Sequence, residues 1–346
     1  MKKLLVTTAL AGIVLGGSAF AQTTITGELR IGYKAMSHGT AATSSRGFST
    51  EQQINVSTKG KTNIGWDYAA GMSIENDGEQ TGTLFNENVY MDFINPGSGT
   101  TITIGRDHIQ RSDTARNASV FFGYDASDVI EGVYSATTTQ LIQASPGAAI
   151  GQSFGIGIVQ DVAKLGKLSY NLVPSTSAAA DSEATQRENS TGGYEVGFVG
   201  SLGVAGLNTY AFKQATSSPI TGAAGQNTNK AEVKNFGISY TTGPFSAGYE
   251  RTVHEGKSTS LVKEITENGY GIAYAITKDL SIQGHLTKAK QDGAAAEAEV
   301  KSIQLGYNLG PVALVVGYGE GENLNGATGV ANQVDGVGFV RLLGAF

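Results

Sequence analysis

The chain has no cysteine, only six prolines, four histidines, and a charged fraction of 16% over 346 residues. Without cysteine, neither disulfides nor thiolate metal sites can hold the fold. The histidines (His38, His108, His254 and His285) are far apart and fit no metal-ligand spacing. After the N-terminus no apolar run approaches the ~20 residues of a membrane-spanning helix. Positive charge is also in deficit, with 24 Lys and Arg against 30 Asp and Glu. Phosphate backbones are bound by clustered Lys and Arg, so nucleic acid is not an expected partner.

Signatures of catalysis are missing too. The glycine-rich stretches Gly155–Val159 and Gly317–Gly326 precede no helix and so cannot form a phosphate cradle. No G-x-S-x-G elbow occurs, and the paired acids Asp125 and Asp128 have no accompanying base. The chain is therefore not expected to be an enzyme, and no cofactor is implied. Acidic loop segments are candidate binders of divalent cations.

Glycine is abundant instead: 48 of 346 residues, about twice ordinary usage. With many Tyr, Thr and Ser it points to β structure rather than helix. Residues 1–21 read as an export signal, with Lys2 and Lys3, an apolar stretch from Leu4 to Leu15, and Ala19-Phe20-Ala21 before Gln22. Cleavage after Ala21 would leave 22 basic and 30 acidic residues, a net charge of −8.

From Thr23 onward the pattern has period two. Ile25, Leu29, Ile31 and Tyr33 share one face, while Thr24, Thr26, Glu28, Arg30 and Lys34 share the other. About sixteen such segments follow one another, among them Thr100–Arg106 and Ala298–Leu309. The stretch 63–75 reads as one strand, with Ile64 and Trp66 on the face of Tyr68. The links alternate in length. Short ones fall at Gly60, Pro96-Gly97, Leu202-Gly203, Gly243-Pro244, Lys278-Asp279 and Gly310-Pro311. Long ones occupy Ser37–Gly47, Asn76–Phe85, Pro174–Thr191, Ala215–Lys230, Glu255–Lys263, Gln291–Ala296 and Gly321–Ala331. Short turns at one rim and long loops at the other mark an all-β, transmembrane, antiparallel up-and-down β-barrel. An exported soluble β-sandwich would scatter its loop lengths differently.

The last strand ends on Phe346, as a barrel's closing strand does. Gln333, Asp335 and Arg341 take the lumen parity, but so do Val337, Phe339 and Leu343. A subunit contact or an inner loop is the expected cover for Phe339 and Leu343. Between Arg106 and Ser153 the alternation breaks down in a segment far longer than an ordinary loop.

The order of a short turn, TITIGRD, this long segment and SFGIGIV resembles the Gram-negative general porin family, as do NVYMDFINPGSGTTITIGR and NIGWDYAAGMSIEND. The resemblance covers nearly the whole chain after residue 21. It implies a single barrel over 22–346, in the outer membrane, with sixteen strands and usually a homotrimer. It also implies that the third loop, 107–152, folds into the lumen as a constriction. Function would be a water-filled channel for passive diffusion of small hydrophilic solutes and ions, and the partners outer-membrane lipid and those solutes. A substrate-specific channel, or a structural or adhesive barrel, is the alternative.

In such a constriction loop acids face wall bases across a wet gap. Here the acids would come from Asp107, Asp113, Asp125, Asp128 and Glu131. The bases would be Arg30, Lys34 and Lys59, with Arg46 on the adjoining loop. Arg106 joins them only if its strand ends at Gly105, because it shares the parity of Ile102 and Ile104. The chain lacks the Pro-Glu-Phe-Gly-type turn that many relatives carry at the loop tip, and FFGYD stands nearby.

Overall fold

The computed structural model describes residues 22–38, 45–76, 85–106, 154–174, 192–218, 229–257, 264–324, 326, 328 and 334–345. They form sixteen strands: β1 Gln22–His38, β2 Ser45–Lys61, β3 Asp67–Asn76, β4 Phe85–Asn95, β5 Thr100–Arg106, β6 Phe154–Val162, β7 Gly166–Val173 and β8 Gly192–Gly200, then β9 Leu207–Ser218, β10 Asn229–Thr242, β11 Phe245–Lys257, β12 Ile265–Ala275, β13 Leu280–Gln291, β14 Ala298–Asn308, β15 Val312–Glu322 and β16 Val334–Ala345. Each pairs antiparallel with its neighbours in sequence, and β1 closes the ring on β16 with Arg30 opposite Leu343. Closure leaves no sheet edge, as it must where no water can satisfy a free backbone group.

Alternation divides the wall into two faces. On β12, Tyr270, Ile272 and Tyr274 point outward and stay exposed, as do Ile303, Leu305 and Tyr307 on β14. Aromatic pairs such as Tyr33–Phe48 and Tyr249–Tyr270, with ring centroids 5.1 and 5.3 Å apart, brace this surface. Toward the long-loop rim the same outward register turns charged. Phe236 gives way to Lys234 on β10, and Ile303 to Lys301 on β14. There Lys213, Glu232, Lys234 and Glu255 link into a collar through ion pairs of 3.0, 3.1 and 2.6 Å. Lys288, Glu299 and Lys301 continue it at 2.7 Å for both pairs. The apolar band and this collar mark the upper limit of lipid contact.

Several expected boundaries are corrected. Gly60 is no turn; it lies within β2 opposite Tyr68. The chain reverses at residues 62–66 instead, where the Thr62 hydroxyl accepts from the Trp66 amide at 3.1 Å and Gly65 takes φ +84°. Ile64 and Trp66 therefore belong to the turn rather than to β3. β1 and β2 extend further than expected, pairing up to Met36 with Ser45, because a hydrogen-bonded ladder needs no apolar face once it leaves the membrane.

The imperfect closing strand also has an answer. Val337 and Phe339 are buried against Met36, Val300, Val315 and Leu324, with Leu343 packed at the margin of the same cluster. Neighbouring residues of the barrel itself thus pack against Val337 and Phe339. Phe346 and the segments 1–21 and 107–152 lie outside the described residues.

Candidate functional site

Inward positions at mid-height form a polar girdle. Thr103 on β5 donates to Asp92 on β4 at 2.6 Å. Asn171 on β7 and Gln214 on β9 both donate to Glu195 on β8, at 2.9 and 2.6 Å. Tyr210 on β9 donates to Glu250 on β11 at 2.7 Å, and Asn235 on β10 to Thr252 on β11 at 2.6 Å. Gln283 and Gln304 face each other across β13 and β14. These cross-strand bonds give both oxygens of the buried Glu195 a partner and stiffen the wall.

The girdle is completed by a charged group where the barrel closes. Arg30 on β1 is bonded through Nε to Glu28 and through Nη1 to Glu51 on β2, the latter at 2.5 Å. Arg341 on β16 donates through Nη2 to the other oxygen of Glu51 at 3.3 Å. Arg30 sits midway along β1, between the outward Leu29 and Ile31, so this quartet lies at the height of the apolar band. In the closed ring β1 stands across the lumen from β9. β16 likewise stands across the ring from β8, where Glu195 is buried within the wall.

The register places Arg30, Lys34 and Lys59 on the inward face, but not together. Lys59 pairs with Gln22, eight positions from Arg30, or about 26 Å along the strand. It belongs to the short-turn end of the tube. Two expected bases are corrected. Arg46 pairs with Ala35 on the outward register of Phe48, within β2 rather than on a loop. β5 continues through Arg106, which pairs with Val89 and with the outward Phe154, so Arg106 turns away from the lumen. Asp107, Asp113, Asp125, Asp128 and Glu131 lie outside the described residues. Glu28, Glu51 and Arg341 were not singled out as site residues, although parity alone marks them as inward.

The decisive comparison is with protein families: residues 6–340 match the model of the Gram-negative porins. The chain belongs to that family. Solved structures agree in fold. A loop-deletion mutant of OmpT, an outer membrane protein of Vibrio cholerae, matches at 11% identity and TM-score 0.66, over 94% of this chain and 99% of that one. OmpT in its in-vitro folded trimer form matches at 12% identity and TM-score 0.64 over the same shares. A mutant of Rh. blastica porin matches at 15% identity and TM-score 0.60, over 94% of this chain and all of that one. Comparison with curated proteins gives no match.

This porin is an outer-membrane channel through which solutes diffuse passively. Among the described residues, the inward aromatic rings are seated against bare backbone. Tyr90 covers Gly71, Phe212 covers Gly197, Tyr210 covers Gly237 and Phe339 covers Gly317; a Cβ at any of these glycines would overlap the ring. Phe212, Tyr210 and Phe339 are at most 5% exposed. Rings held this way do not stand into the bore as a ladder for sugars would.

Proposed function

We propose that this porin forms a water-filled pore for small hydrophilic solutes and ions, filtered at mid-height by bore and by charge. The observation that carries this reading is the polar girdle inside a closed barrel whose outer face is apolar at the same level. Polar lining replaces part of a solute's hydration, while opposed charges on facing walls orient dipolar solutes and penalise apolar ones. Segment 107–152 would narrow the bore from within, and the mature chain would begin at Gln22. Three copies would assemble around a common axis; the trimer form in which OmpT was solved supports that reading.

Reconstitution into planar bilayers tests the pore. Stepwise conductance increments are expected, and a heat-modifiable, folded barrel without conductance would refute it. Light scattering of the detergent complex tests the trimer, and N-terminal sequencing of outer-membrane material tests the start at Gln22.

A further inference from the structure

Arg30 and Arg341 reach the lumen from adjacent strands, and two guanidiniums at one height would ordinarily draw anions into the pore. Neither is offered as a bare cation. Both oxygens of Glu51 are engaged, Oε1 by Arg30 at 2.5 Å and Oε2 by Arg341 at 3.3 Å. Glu28 holds the remaining Nε edge of Arg30. Two arginines and two glutamates bring the patch to zero formal charge. The group is only part-buried, with Glu51 at 25% and Arg30 at 34% side-chain exposure, so it stands in contact with the permeation path.

We propose that Glu51, assisted by Glu28, is the specificity-determining residue of this channel. By clamping Arg30 and Arg341 it cancels the positive charge of the wall and denies passing anions their binding site. This inference rests on the pore reading above and adds to it the origin of ion preference. A carboxylate fixed to the next strand is present at high effective concentration, so a dilute solute anion competes poorly for the same N–H groups. The clamp therefore holds down the preference for anions that two open guanidiniums would give the pore.

Reversal potential in a salt gradient across a planar bilayer reads the effect. Potassium chloride serves as the probe, with the full-length mature protein. Glu51→Gln keeps shape and hydrogen bonding but leaves the patch with one surplus positive charge. It is expected to shift the cation-to-anion permeability ratio toward chloride by about threefold, the effect of a unit charge a few ångströms from an ion in a water-like medium. Glu28→Gln shifts it the same way by less, since Glu28 touches only Arg30. Arg30→Gln shifts it toward potassium. Unchanged reversal potential in Glu51→Gln, with unitary conductance retained, overturns the proposal. Should Glu51→Gln fail to give a heat-modifiable barrel, Glu28→Gln decides by the same criterion. Failure of the pore reading looks different, because the unsubstituted protein then gives no conductance at all.

Discussion

Tyr210 on β9 occupies the space that a side chain on Gly237 of β10 would need, and its hydroxyl reaches past that glycine to Glu250 on β11. One ring thereby ties three strands together across the lumen wall. Gly237→Ala forces the ring away from the wall, breaks the bond to Glu250 and overfills a site that is 1% exposed. A loss of about 1–3 kcal/mol is expected from overpacking of this kind. Urea-dependent loss of the heat-modifiable form measures it. The displaced ring also enters the bore, so unitary conductance should fall.

Glu195 is fully buried and accepts from two neutral amides, one on each flanking strand. Glu195→Ala strands both donors. The cost of leaving buried polar groups without partners is roughly 1–3 kcal/mol for each. Thermal unfolding in detergent should drop accordingly. Ala in all three positions, Asn171, Glu195 and Gln214, should recover part of the loss, because no orphaned amide remains.

Ile272 lies outward between Tyr270 and Tyr274 and is 58% exposed within the protein, the position of a residue facing hydrocarbon. Ile272→Arg should destabilise the barrel by about 2–4 kcal/mol in lipid, as a cation near the bilayer midplane does. The same side chain at Lys234, within the charged collar, should leave folding unchanged. Urea titration of refolding into vesicles separates the two, and equal costs would show that the collar is not the upper boundary.

Much of the fold was legible because lipid and water impose opposite demands on alternate residues. Thr100–Arg106 and Gly243-Pro244 fall where alternation and turn residues put them. The failures have physical causes. Gly60 resembles a turn signal, yet it is the seat for the Tyr68 ring, a role that depends on a partner across the ladder. Ile64 and Trp66 continue the alternation by accident of spacing, while Thr62 and Gly65 close the turn through hydrogen bonds that hydropathy does not register. Arg106 was ambiguous by a single residue of strand length, and one residue reverses the face.

The charged quartet was only half legible. Parity sends Glu28, Arg30, Glu51 and Arg341 inward, but parity assigns the same face to residues at every height. Arg341 and Glu51 are 290 residues apart and meet only because β16 closes on β1 in one register. Val337 and Phe339 misled for the same reason: their partners Met36, Val300 and Leu324 come from separate strands and a loop.

The Lys–Glu collar between β9 and β14 has a consequence for the bilayer that this barrel can inhabit. Its ion pairs are fixed in the wall, and Lys234 and Lys301 cannot retreat if the hydrocarbon layer thickens. A bilayer with longer acyl chains must thin at this flank or drag paired charges into oil, whereas the flank at Tyr33 and Phe48 presents rings instead. The collar acts as a draught mark, setting how deep the barrel rides and favouring membranes with short chains.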